Sequence, residues 1–133
     1  MHQYKRQIFL RDTDATGNLY FSSQLSFVME ALEVFFLEKG VKVQELIETG
    51  TFLLPVVHVE ADFSAPLKVG DSVDIQLTVT LGNHSFTTHA DIRKGGEEVG
   101  TVKLVQAAVS KESETSIPIP AQIAIHLRHL CID

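Results

Sequence analysis

Apolar residues recur along the chain with two different periods, and the change between them organises it. Over residues 22–39 they fall at helical spacing: Leu25, Val28, Met29, Leu32, Phe35 and Phe36. Phe27, Ala31 and Val34 extend the apolar surface nearly all round, leaving Ser22, Ser26, Glu30 and Glu33 as one polar stripe. A helix with this pattern is wrapped by other structure rather than laid on a surface. Gly40 stops it, and Lys39 suits the negative end of its dipole. From Thr51 the period drops to two. Residues 51–65 predict a long strand, with Pro55 marking an irregularity or an edge near its start. Residues 72–81 alternate without a break: Val73, Ile75, Leu77, Val79 and Leu81 on one face, Asp74, Gln76, Thr78 and Thr80 on the other. Strands follow over 85–93 and 99–110, joined at Lys94-Gly95-Gly96-Glu97, a hairpin signal.

The flanks are weaker. Residues 4–10 predict a first strand, with Tyr4, Arg6, Ile8 and Leu10 on one face. Residues 41–50 predict a short amphipathic helix or turn resting on Val43, Leu46 and Ile47. Lys68-Val69-Gly70-Asp71 and Gly82-Asn83-His84 are turns. Ile117-Pro118-Ile119-Pro120 is extended, and 121–130 is a short terminal helix. One long helix followed by consecutive antiparallel strands makes the fold class α+β, a sheet wrapped around one long central helix. Its far face is left to solvent or to another subunit.

Composition narrows the picture. At 133 residues the chain makes one domain, residues 1–133, with room for a proper core. A net charge of −6 argues against nucleic acid as the main partner. No apolar run is long enough to span a bilayer, and the first residues lack the apolar core of a signal peptide. The lone Cys131 excludes an internal disulfide and a multi-cysteine metal site. A cytoplasmic location, no membrane partner and no metal are therefore expected. Of the six histidines only His126 and His129 have any ligand-like spacing, which a surface helix end accounts for. There is no phosphate-cradling glycine loop and no Gly-x-Ser-x-Gly elbow.

What remains is the polar turn before the long helix, Asp12-Thr13-Asp14-Ala15-Thr16-Gly17-Asn18-Leu19-Tyr20-Phe21. Gly17 can take the positive φ such a turn needs. Residue types leave two readings open. In one, Asp12 and Asp14 cap the helix or make ordinary Asx-type bonds. In the other, Asp14 stands beside a helix start whose unpaired N–H groups polarise a carbonyl, and acts as base or nucleophile.

That turn, the apolar helix behind it, and Glu60-Ala61-Asp62-Phe63-Ser64-Ala65-Pro66-Leu67-Lys68-Val69-Gly70-Asp71 resemble the hotdog-fold acyl thioesterases. The 4-hydroxybenzoyl-CoA thioesterase-like family is the nearer group. Gly17-Asn18-x-Tyr20-Phe21 is also similar to the enediyne polyketide thioesterases. The resemblance covers about residues 4–120. It implies hydrolysis of an acyl-CoA or acyl-carrier-protein thioester without a cofactor. It implies a homodimer with active sites between subunits, and pairing of dimers into a homotetramer. It makes Asp14 the nucleophile or general base, Asp12 structural, and the Phe21 backbone N–H the group that polarises the carbonyl. It places Gly17, Asn18, Tyr20, Met29, Leu54, His58 and Ser85 on the substrate.

Two departures matter. The family's hydroxybenzoyl enzymes hold the phenol with an acid on the helix, and Met29 occupies that place here. The expectation is accordingly an aliphatic or polyketide chain, with Leu53 and Leu54 as further lining. The place of a basic cluster for the CoA phosphates reads Gly82-Asn83-His84, which leaves Lys68, Arg93, Lys94 or Lys111 for that task. The enediyne enzymes lack the acid and carry an arginine on the helix, near where Glu30 falls. Two alternatives stand beside the thioesterase: a hotdog dehydratase, which wants a histidine that this helix lacks, and a non-catalytic acyl-binding hotdog domain. An acid in an apolar tunnel is costly unless used or hydrogen-bonded, which disfavours the second.

Overall fold

The computed structural model describes residues 1–132. Its elements are β1 (His2–Gln7), α1 (Phe21–Glu38), α2 (Val43–Thr49), β2 (Phe52–Leu53), β3 (Val56–Phe63), β4 (Ser72–Leu81), β5 (Ser85–Lys94), β6 (Glu97–Ala107), β7 (Val109–Ser110) and α3 (Ala121–Leu127). Five strands form one sheet in the order β1-β4-β5-β6-β3, antiparallel at every step. The short strands β2 and β7 pair separately.

The alternation in β4 carries straight into the core. Val73, Ile75, Leu77 and Val79 are buried on one face, with Phe86, Ala90 and Ile92 of β5 and Val99, Val102 and Leu104 of β6 beside them. Helix α1 covers that face with Phe27, Val28, Ala31, Leu32, Phe35 and Phe36, at i, i+3 and i+4 spacing. The β5–β6 turn holds Gly95 and Gly96 at φ 59° and 84°, the left-handed pair a tight two-residue hairpin needs.

The expected boundaries hold for β4 and shift elsewhere. The first strand ends at Gln7, and Leu10 opens a single 3-10 turn, Leu10–Asp12, where it is 72% exposed. The cause is Asp12, whose carboxylate accepts the Phe9 N–H at 2.8 Å and curls the chain before the alternation can continue. The long strand over 51–65 is two strands. Pro55 separates β2 from β3, and the β3–β6 register slips between Val56 and His58. The last strand divides likewise into β6 and β7, and α3 ends at Leu127 before a 3-10 turn.

Helix α1 is not enclosed all round by the rest of the chain. Its buried stripe is one step away from the face that Leu25 and Met29 define. Met29 is 38% exposed, and Phe21 and Leu37 more so. Strand β3 is similarly open: it pairs only with β6 and buries none of its residues. Val57, Val59 and Phe63 stand exposed along it.

Candidate functional site

The turn between β1 and α1 is held from below by Arg6. Its guanidinium donates to Asp12 Oδ2 at 2.9 Å and to Asp12 Oδ1 at 3.4 Å, and its Nε donates to Glu30 Oε2 at 2.9 Å. Tyr4 Oη donates to the same Glu30 oxygen at 2.6 Å. Arg6 is stacked 4.5 Å from the Phe27 ring centroid and 5.2 Å from that of Phe9. Burial pushes the Asp12 carboxyl up, but the Arg6 bond, the Phe9 N–H and the charges of Arg6 and Arg11 hold it below its ordinary value. Asp12 is therefore spent on structure. Its carbonyl accepts the Tyr20 N–H at 3.1 Å and the Ser23 hydroxyl at 2.8 Å, tying the turn to the first residues of α1.

Above this anchor the chain closes on itself. Thr13 bridges Leu19, Asp14 N–H donates to the Asn18 carbonyl at 2.8 Å, and Gly17 sits at φ 82°. A side chain at Gly17 would be strained whatever space it found. The turn is also sewn to the β3–β4 connection: Leu19 N–H donates to Leu67 O at 2.7 Å and Val69 N–H to Gly17 O at 3.0 Å.

Asp14 serves this frame with one carboxylate oxygen only. Its Oδ1 accepts from the Thr16 N–H at 2.8 Å, the Thr16 hydroxyl at 2.5 Å and the Asn18 N–H at 3.3 Å. All three bonds fall on one oxygen; Oδ2 has no partner among the described residues. The Thr16 hydroxyl first, then the Thr16 and Asn18 N–H groups, lower the Asp14 pKa. Asp14 is thus an Asx-type turn residue whose second carboxylate oxygen is left free. Tyr20 is the helix N-cap without a side-chain cap bond, and the first turn carries no acid. Among the described residues nothing accepts the Phe21 N–H, whereas the Ser23 N–H donates to the Tyr20 carbonyl at 3.0 Å, so Phe21 presents a free donor at the helix start.

A second feature lies further along α1. A cavity of about 380 Å³ opens between α1, α2, β2 and the sheet, with Met29, Leu53 and Leu54 on its wall. The walls are otherwise apolar, and its polar groups are Glu33 at the helix and Gln106 on β6. Asp14 does not line it. Of the expected substrate contacts, Gly17, Asn18 and Tyr20 therefore belong with Asp14 and Phe21, and Met29 and Leu54 with the cavity. His58 joins neither; it pairs with Glu60 Oε1 at 2.8 Å on the open strand β3. Ser85 joins neither, being the first residue of β5, with its carbonyl closing the Gly82 turn at 2.9 Å.

The candidate phosphate cations divide in the same way. Lys94 is 3.1 Å from Asp71, Arg93 donates to the Gly96 carbonyl at 3.0 Å, and Lys111 to the Ile47 carbonyl at 2.5 Å. Lys68 is exposed and bridges Asn18 in the Asp14 turn. At Gly82-Asn83-His84 the turn forms a shallow pocket with Arg128, a cation that spacing alone did not bring there. Among the described residues no His, Cys, Asp and Glu cluster could hold a metal, and no helix is long and apolar enough to cross a membrane.

The molecule has close counterparts. A 1,4-dihydroxy-2-naphthoyl-CoA hydrolase of Synechocystis is 33% identical over 128 residues, covering 92% of each chain. The hydrolase of the same name from Synechococcus elongatus is 29% identical over 124 residues, covering 92% of this chain and 91% of its own. Among solved structures, a 1,4-dihydroxy-2-naphthoyl-CoA thioesterase from Synechocystis superposes with a TM-score of 0.90 at 28% identity, over 96% of each chain. A gentisyl-coenzyme A thioesterase shares the fold, with a TM-score of 0.83 at 24% identity over 95% of this chain and 99% of its own. The sheet and helix described above are the hotdog fold of those enzymes. The sequence profile of the thioesterase-like superfamily matches residues 9–127, and the chain belongs to that superfamily.

Proposed function

We propose that the chain hydrolyses a hydroxyaryl thioester of coenzyme A, with Asp14 as the nucleophile and the Phe21 N–H as the oxyanion donor. Thioester hydrolysis comes with the superfamily, and the naphthoyl-CoA relatives make CoA the favoured carrier over an acyl carrier protein. The observation that carries the residue assignment is the pairing of a free carboxylate oxygen with an uncapped helix start across one tied-down turn. A carboxylate held ionised by three donors on Oδ1 is a weak base, but its free Oδ2 remains available for attack. Oδ2 attacks the thioester carbonyl, the developing oxyanion meets the helix N–H groups, and the thiolate leaves. Water then cleaves the acyl–aspartyl anhydride, releasing the acid and restoring Asp14. Gly17 and Asn18 hold the turn, Tyr20 flanks the reacting carbonyl, and Lys68 lies on the side where the nucleotide would pass.

A homodimer joined along the open edge of β3 belongs to the same reading, with dimers pairing further. Val57, Val59 and Phe63 on a strand paired along one edge only are an aggregation liability in a monomer. Sedimentation at micromolar protein should show a dimer or larger; a stable monomer would count against active sites shared between subunits.

A thioester panel tests the activity: hydroxyaryl, aryl and medium-chain acyl groups, each on CoA and on a carrier protein. Faster turnover of the hydroxyaryl-CoA members is the expected result. Preference for carrier-protein thioesters would overturn the carrier assignment, and preference for aliphatic chains the aryl one. No hydrolysis of any member would leave an acyl-binding domain.

A further inference from the structure

The turn that presents Asp14 holds a relay of two side chains beyond its backbone bonds. Asn18 Nδ2 donates to Thr16 Oγ1 at 2.9 Å, and Thr16 Oγ1 donates to Asp14 Oδ1 at 2.5 Å. Proton counting fixes the direction of both bonds. A hydroxyl has one proton and an ionised carboxylate can only accept, so the Thr16 proton goes to Asp14. The side of Oγ1 that faces Asn18 is then a lone pair, which takes the amide nitrogen and not its oxygen. Two backbone donors meet the same carboxylate oxygen, the Thr16 N–H at 2.8 Å and the Asn18 N–H at 3.3 Å. An Asx-type turn needs only such backbone bonds. The hydroxyl and the amide behind it are additional. Thr16 and Asn18 are both exposed, so the relay holds no core together. Water competes for exposed bonds, which leaves them little net weight in stability.

We propose that Thr16 is a positioning residue for the nucleophile: its hydroxyl, oriented by the Asn18 carboxamide, pins Asp14 Oδ1 so that Oδ2 faces the thioester carbonyl. This rests on the Asp14 nucleophile reading above. An unpinned carboxylate rotates about its last torsion and presents either oxygen. Three donors on one oxygen leave one orientation, so that freedom is given up before the substrate arrives. The Asn18 side chain thereby acts on Thr16 and not on the substrate. The same donors suit both halves of the reaction. Oδ1 accepts as a carboxylate oxygen before attack, and as a carbonyl oxygen once Oδ2 carries the acyl group. The Thr16 hydroxyl first, then the Thr16 N–H and the Asn18 N–H, also lower the Asp14 pKa, and no neighbouring charge enters. Losing the hydroxyl would therefore make Oδ2 more basic but worse placed. Placement outweighs basicity, since misplacing a reacting group by about 1 Å costs up to about 100-fold.

Thr16→Val keeps the shape of the side chain and deletes the hydroxyl. It should lower kcat by roughly 10-fold, inside that ceiling, with KM within about 2-fold of the wild type. The acid limb of kcat/KM should move to higher pH. Thr16→Ser keeps the hydroxyl and should recover most of the loss and the position of the limb. Asn18→Ala should show the same signs more weakly, and should add nothing to Thr16→Val, because it acts through the hydroxyl. Carbon-13 NMR titration of Asp14 reads the bond without turnover, and thermal melts report folding. A folded Thr16→Val protein with wild-type kcat, or with an unmoved Asp14 titration, overturns the proposal. An Asn18→Ala effect that persists undiminished beside Thr16→Val also overturns it, by placing Asn18 on the substrate. If Thr16→Val does not fold, Asn18→Ala decides by the same kcat and acid limb. Asp14→Asn separates the two readings. If it is active, the nucleophile reading falls and the Thr16 assignment with it. If it is inactive while Thr16→Val turns over like the wild type, the Thr16 assignment alone falls.

Discussion

Asp14→Asn should lower turnover of the preferred thioester by at least about 100-fold while leaving the melting temperature near that of the wild type. The substitution is nearly isosteric. Its side-chain oxygen can still accept from Thr16 and Asn18, as Oδ1 does at 2.8, 2.5 and 3.3 Å. What it removes is the charge and nucleophilicity of the second oxygen, which no residue of the fold uses. Asp14 is partly exposed, and the Thr16 and Asn18 bonds outweigh the burial that pushes its pKa up. The pH profile supplies an independent check. Thr16 and Asn18 lower the Asp14 pKa, so the active carboxylate is present above that lowered value and lost as pH falls through it. The acid limb of kcat/KM should therefore lie below the ordinary aspartate value of about 3.9. Near-wild-type turnover in Asp14→Asn would remove Asp14 from the chemistry. An acid limb near neutrality would assign the titration to another group.

Legibility followed burial. Strand β4 was readable to the residue because one of its faces is buried and the other is not. Helix α1 was readable as a helix, but its facing was not. Apolar residues reach nearly all round it, so the sequence did not distinguish the stripe against the sheet from the flank that holds Leu25 and Met29. The end of β1 was hidden because it depends on Asp12 capturing the Phe9 N–H, a bond between side chain and backbone that periodicity does not register. The Asp14 turn was visible as a candidate because its carboxylates, glycine and helix start are contiguous, and the family resemblance, not the residue types, singled out Asp14 within it. Gln106 was missed for the opposite reason: its partner, the Leu54 carbonyl, comes from far along the chain. A signal did exist. In the alternation Val102, Leu104, Gln106 a polar residue falls at an inward position, as Gln24 does on α1. A polar side chain on the buried face of a well-patterned strand needs a partner, and the partner was the question to ask.

Arg6→Met should destabilise the protein by about 3–5 kcal/mol, the usual cost of stripping one partner from a buried ion pair. Arg6 and Asp12 are each 8% exposed, and methionine keeps much of the apolar stem against Phe27 and Phe9 while deleting the guanidinium. Asp12 then keeps only the Phe9 N–H and the charge of Arg11, and Glu30 keeps only the Tyr4 hydroxyl. A loss of that size lowers the melting temperature by roughly 10–20 °C in a domain of this length. The effect should depend on pH in a known sense. In the wild type the Asp12 pKa is lowered, so its contribution is present above the unfolded-state value and lost as pH falls through the folded one. The variant lacks most of that contribution at any pH. The gap between the two proteins should thus be widest near neutrality and narrow as acid protonates Asp12. Combining Arg6→Met with Asp12→Asn should recover part of the loss, because the uncompensated charge is then gone. If Arg6→Met melts within about 1 kcal/mol of the wild type at neutral pH, the turn that presents Asp14 is held by its backbone bonds and not by this ion pair.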